Sequence, residues 1–159
     1  MTRRTHEEYT RIWWVTSISS KTAPTVAEIG AGTDISAFVP KDGLKVGSTN
    51  NKVRNDDITS AFNAEIPGSY ANAVTLTCFR DDSADTAWTL FQTRNTTGFL
   101  VVRRMLSVAT AVAAAQKVEV YPAATGQPTL HDTAENERVK FGVDMMITST
   151  PVLAATVAA

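Results

Sequence analysis

"ENERVKFGVDMMITSTPVLAATVAA" (residues 135–159) decides how the chain is read. Val139, Phe141, Val143, Met145 and Ile147 fall on one face of a strand, and Arg138, Lys140, Gly142, Asp144 and Thr148 on the other, with Met146 the exception. A period of two marks a strand with one covered face. No charged residue follows Asp144. Chain ends are polar and loose unless something ties them down, so residues 150–159 read as an arm that needs a partner surface.

The chain has 159 residues, 15 Lys+Arg and 16 Asp+Glu, with 43% hydrophobic and 19% charged residues. The length is that of one domain, 1–159, able to bury a core without staples. A near-zero net charge argues against gripping nucleic acid, which needs a basic surplus, and it favours self-association. The single cysteine, Cys78, excludes an internal disulfide and a cysteine-based zinc site. Cys78 shares a strand face with Val74 and Leu76 and reads as a small buried hydrophobe. No apolar run follows the polar start "MTRRTHEEYTR", and no stretch has the length of a membrane span.

Outward from the last strand, the same logic places others. "IWWVTSIS" (12–19) is β-branched and aromatic, and residues 1–12 form a polar arm before and into it. Short strands are expected at Thr25–Ile29 and Asp34–Val39, with Gly30 and Gly32 in a turn between them. Residues 40–72, rich in Gly, Asn, Ser and Asp, read as a long loop, and in a small domain such a loop is functional or disordered. Strands follow at 72–82, 99–106, 117–123 and 137–150, with a turn-rich link at 125–136. Between the first two of these, Ala84, Ala87, Trp88 and Phe91 repeat at helical spacing, with Asp82 or Ser83 as N-cap and Gly98 in the following turn. The sum is about seven strands and one helix of about three turns, a mainly β fold. Two antiparallel sheets in a sandwich or barrel-like form, with a flanking α-helix and a long loop, would pack these elements.

No motif carries chemistry. "GAGTDI" (30–35) lacks the third glycine and the following helix of a dinucleotide fingerprint. His6 and His131 are the only histidines and lie in polar sequence; Asp132 and Glu135 beside His131 do not make a ligand set, so neither a metal nor a cofactor is expected. Asp81, Asp82 and Asp85 suit a helix N-terminus without a calcium-loop periodicity. Arg103 and Arg104 point to opposite faces of a strand, as do Trp13 and Trp14, so neither pair forms a patch. No nucleophile elbow or triad can be assembled, so no catalytic residue is named. The features left over are those of assembly: an arm, a long loop and an uncharged tail.

The order of elements resembles a known family. "APTVAEIGAGTDISAFVPKDGL", "AVTLTCFRDDSADTAWTLFQTRNTTGFLVVRR", "KVEVYPAATGQP" and "VKFGVDMMITSTPVLAATVAA" together are similar to the major tail protein, or tail tube protein, of long-tailed bacteriophages, in particular those infecting actinobacteria. The likeness runs over residues 22–157 and is one of pattern, without a chemical signature. It implies a two-sheet sandwich with a flanking helix. It also implies hexameric rings whose sheets join into an inner barrel, stacked into a tube around a tape-measure protein. Tail-tip and terminator proteins would be further partners, and DNA would pass through without specific binding. Such a protein is not an enzyme, contacts no membrane, and resides in the virion tail after assembly in the host cytoplasm.

The resemblance supplies no residue-level site. By physics, Val46, Val53, Ile58, Phe62, Ile66 and Tyr70 are expected to dock the long loop on a neighbour, and Val152, Leu153 and Val157 to anchor the tail. Glu119, Glu137 and Asp144 are expected as acids facing the lumen. Deleting residues 151–159 is expected to leave a folded domain. The competing readings are another virion assembly protein (tail terminator, connector or decoration protein) and a monomeric β-sandwich that binds a small ligand.

Overall fold

The computed structural model describes residue 5 and residues 7–132 and 135–159. The elements run β1 (Thr10–Val15), α1 (Val26–Ala31), β2 (Thr33–Asp34), a 3₁₀ turn (Ser36–Phe38), β3 (Leu44–Arg54), β4 (Glu65–Phe79), α2 (Thr86–Phe91), β5 (Thr97–Arg104), β6 (Lys117–Thr125), β7 (Thr129–Leu130), β8 (Lys140–Ile147) and β9 (Val152–Thr156). The strands form one antiparallel sheet of nine, in the order β2-β1-β5-β6-β8-β4-β3, with β7 on β8 and β9 on β6. The mainly β antiparallel fold expected from the alternation is the one found.

The sheet folds over on itself. One cluster gathers Trp14, Leu100, Val102 and Tyr121 from β1, β5 and β6 with Leu76, Cys78, Phe141, Val143 and Met145 from β4 and β8. The two halves therefore face each other across one core, and the short β6–β8 ladder at Ala123–Thr125 joins them. Helix α2 plugs the core with Phe91, which meets Trp14 edge-on at 5.4 Å, while Trp88 meets Phe141 at 5.1 Å. Such aromatic pairs add to the gain from burial. Gly98 lies in β5, not in a turn: a Cβ there would sit 2.6 Å from the Trp14 ring, so glycine is what lets the indole approach the strand.

A second cluster lies on the other face of β1-β5-β6. Trp13, Val15, Val101, Val118 and Val120 meet Ile29 of α1 and Ala155 and Val157 of the C-terminal segment. Consecutive residues of these three strands are thus buried on both faces, which accounts for the unbroken apolar run Leu100–Val102. Trp13 and Trp14 do face opposite ways, one into each core.

Several expectations are corrected. Residues 25–29 open helix α1 instead of a strand, because Thr25 and Glu28 form a reciprocal capping box. Asp34–Val39 gives only the end of β2 and a 3₁₀ turn. Gly30 belongs to α1 and Gly32 ends it. Helix α2 is six residues, not three turns, and Ala84 lies before it. Its N-cap is Asp85, in the left-handed region at φ 42°, with no side-chain cap bond, so neither Asp82 nor Ser83 caps it. The Asp85 carboxylate accepts instead from Arg80 Nε at 2.6 Å and from the Asp81 N–H at 3.1 Å.

The ends are also tied down. The expected N-terminal arm 1–12 runs into β1, where Ile12 is buried; residues 1–4 and 6, including His6, lie outside the described residues. The C-terminal arm 150–159 contains β9, which pairs with β6. The Val157 and Ala158 N–H groups donate to Gln116 and Pro24 carbonyls, and a parallel bridge joins Thr25 to Ala158. The uncharged ending is explained: it covers the second core of its own chain.

Candidate assembly surfaces

The stretch expected as a long loop is a β-hairpin. β3 and β4 pair from Leu44↔Leu76 out to Arg54↔Glu65, and Asn55 N–H closes the tip on the Ala64 carbonyl. The sequence hid it because its strands lack one-sided alternation: every residue of β3 from Lys45 to Arg54 is exposed. Only the part of β4 from Val74 to Phe79 pairs with β8 on its other edge. Beyond Val74 the hairpin is a two-stranded ribbon with two open edges, reaching roughly 25–30 Å at the usual strand rise. An isolated ribbon is marginal in water and needs a covered face.

The six apolar positions named from sequence all lie on this hairpin and are all exposed. They do not share one face. β4 carries an extra residue opposite the step from Asn50 to Lys52, so the parity of its side chains flips there. The register puts Val46 and Tyr70 on the face continuous with the first core, and Val53 and Ile66, a direct cross-strand pair, on the opposite face. Ile58 and Phe62 stand at the tip, Ile58 fully exposed and Phe62 at 76%. The tip is shaped locally: Asp57 accepts from the Thr59 N–H and Oγ1, and these hydrogen bonds hold its carboxyl below the ordinary carboxylate range.

Of the tail anchors, Val157 is 1% exposed within its own chain and Val152 packs partly on the same core. Neither is left over for a neighbour; Leu153, at 66%, is.

The three acids expected in the lumen are dispersed. Glu119 is held inside the subunit, accepting from Arg104 Nε at 2.7 Å and Tyr121 Oη at 2.8 Å. Burial and that bond push the Tyr121 hydroxyl pKa up. Glu137 lies before β8, in reach of Lys140 at 3.4 Å. Asp144 alone sits on an outward strand face, accepting from Thr75 Oγ1 at 2.9 Å. Around it that face is mixed: Ala73, Thr75 and Thr77 of β4 and Gly142 of β8 are small and neutral, while Lys45 of β3, directly across from Thr75, and Lys140 and the exposed Met146 of β8 share it.

Chemistry is sparse elsewhere. Burial pushes the Cys78 thiol up to about 12, as suits a core residue. A cleft of about 810 Å³ opens beside β1 and the 3₁₀ turn, but most of its charges are engaged: Arg11 with Asp34, Lys41 with Glu7, and Arg104 with Glu119. No group of His, Cys, Asp and Glu among the described residues could hold a metal ion. No helix among them is long and apolar enough to cross a membrane.

Sequence reasoning also missed Arg103. It is fully buried, and its guanidinium donates to the carbonyls of Ser107, Thr110 and Ala111 and to Gln116 Oε1, at 2.8–3.3 Å, beside the Trp13 ring. Facing the apolar Val101 side of β5 was the one available signal.

Comparison with known proteins assigns the fold. The profile of a family described as phage tail tube protein matches residues 1–159. The chain belongs to the phage tail tube protein family. Its role is therefore structural, as a component of the tail tube of a virion. No curated protein sequence matches it. Among solved structures, it is similar to a chain of the anti-feeding prophage (AFP) baseplate, a 6-fold symmetrised cryo-EM structure, at 10% identity and TM-score 0.57, covering 96% of this chain and 98% of that one. It is similar also to a chain in the tail of an empty GTA particle, refined helically with C6 symmetry, at 8% identity and TM-score 0.54, covering 96% and 100%. At these identities the likeness is one of fold, and it agrees with the mainly β antiparallel fold read from strand alternation and with the family resemblance of the sequence.

Proposed function

We propose that this tail tube protein assembles as hexameric rings stacked into a hollow tube, with the β3–β4 hairpin as the element that joins copies. The hairpin carries the reading: a ribbon open on both faces and both edges, bearing Val46, Val53, Ile58, Phe62, Ile66 and Tyr70, needs protein around it. The 6-fold and C6 symmetry of the two similar structures supports a ring of six. Joining the free edge of β3 to a neighbour removes the longest open edge, which is otherwise an aggregation hazard.

The outward face of β3, β4 and β8 lines the channel, with Asp144 on it. Lys45 stands across Thr75 from Asp144 and Lys140 is in reach of Glu137, so the face carries no basic cluster to release counterions from DNA, and the genome slides past without specific binding. The tape-measure protein fills the tube before DNA does, and terminator and tip proteins close its ends. Assembly takes place in the host cytoplasm, and the protein has no catalytic activity. Electron microscopy of the concentrated protein tests the reading. Stacked rings or tubes with sixfold end views are expected; monomers at every concentration, with the purified tip complex added as nucleus, would overturn it.

A further inference from the structure

The loop between β5 and β6, residues 105–116, is uncharged over its whole length. It exposes Met105, Val108, Ala109, Ala111, Ala113 and Ala114. An exposed apolar loop of this kind would ordinarily be mobile, yet this one is fixed from beneath. The Arg103 guanidinium holds three of its carbonyls and Gln116, and Gln116 Nε2 donates to Ala111 O at 2.8 Å. The Val108 N–H donates to Glu8 O and the Ala115 N–H to Val157 O, each at 2.8 Å. Burying a cation among carbonyls without a carboxylate is costly, and what it secures is the shape of this surface. A preformed apolar surface binds with little ordering cost.

We propose that the 105–115 loop is a docking platform for the hairpin tip of a second copy of this chain. This rests on the self-assembly reading above and names the receiving surface. Two observations select the occupant. Residues 55–64 of the tip contain Asp57 and Asp56, the latter in reach of Arg54, and no Lys or Arg, while the platform has Lys117 at its edge and beneath it the buried Arg103, whose guanidinium is held by carbonyls and Gln116 and not by a carboxylate. The tip also presents Ile58 and Phe62, and their exposure means that they are not seated on their own chain. Apolar side chains meet an apolar platform, and opposite charges set the register around them.

The test is cross-linking between copies. Ala61→Cys, which leaves Ile58 and Phe62 in place, and Ala111→Cys variants are made separately; both positions are exposed, so folding is preserved. The buried Cys78 does not compete for a maleimide. The two variants are mixed in equal amounts, concentrated, treated with a short bis-maleimide and imaged by electron microscopy. A covalent dimer in the mixture, absent from either variant alone, is expected in samples that show rings or tubes. Rings or tubes without that dimer would overturn the platform and leave the assembly reading standing. Absence of any assembly, with the purified tip complex added as nucleus, would overturn both.

Discussion

β1-β5-β6 and β3-β4 are ladders of the same antiparallel hydrogen bonds in the same sheet, yet they live in opposite surroundings. In the first, Leu100, Val101, Val102 and Arg103 follow one another without a solvent-facing position, because each face has its own core. In the second, from Lys45 to Arg54, neither face is covered. Backbone pairing contributes little net stability against water. The difference between a body and a projecting arm is therefore made by what lies on the faces. The first ladder holds the subunit together, and the second is the one proposed to join other subunits.

The comparison can be broken most severely at the C-terminus. Deleting residues 151–159 strips β9 from β6 and uncovers Trp13, Ile29 and Val118. Loss of Val157, Ala155 and the cover they provide should cost about 5 kcal/mol, near the whole stability of a domain. The cooperative urea transition should disappear, contrary to the folded domain expected when the segment is read as an arm. A transition like that of the full chain would show that the second core does not hold the body.

Trp14→Ala is the next largest change. It empties a site against Phe91 and Gly98 and should cost about 3–5 kcal/mol, read as a shift of the urea midpoint. A shift below about 1 kcal/mol would mean that the first core is less tightly packed than these contacts require.

Glu28→Gln sharpens the comparison at its edge, where α1 covers the second core. Hydrogen bonds from the Thr25 backbone and from Ser19 lower the Glu28 carboxyl from 4.5 to about 2. A lowered folded-state value means stability that is present above pH 4.5 and lost as the pH falls towards about 2. The substitution should therefore cost about 1 kcal/mol at neutral pH, a cap-sized loss discounted for exposure. That difference should shrink on acidification through this window, as followed by thermal melts across pH. A difference independent of pH would remove the capping box from the account.

The smallest effect on stability should come from the hairpin tip. Ile58→Ser with Phe62→Ser should change the unfolding midpoint by no more than about 0.5 kcal/mol, while assembly seen by electron microscopy is lost. A large loss of stability would show that the tip packs on its own body.

Much of the body was legible in sequence. One-sided alternation marked β8 and the inner half of β4, and opposed tryptophans lie on a strand between two cores. "TVAE" (25–28) carried the capping-box pattern that makes α1 a helix, a signal present but read as strand. The candidate interface was legible only in part. Its residues were named, but as a loop, since a ribbon exposed on both faces shows no period. Glu119 and Val157 were placed outside because an acid and a terminal residue are usually exposed, and here each has a partner within the chain.

What the sequence by itself determined is the local part: strands where apolar residues alternate, an uncharged ending, a net charge near zero, and a pattern shared with tail tube proteins. What only the tertiary structure decided is which faces are covered. That depends on contacts between residues far apart in the chain, such as Val118 with Ala155 or Trp14 with Gly98. It is these contacts that turn the tail inward and leave the β3–β4 hairpin outside.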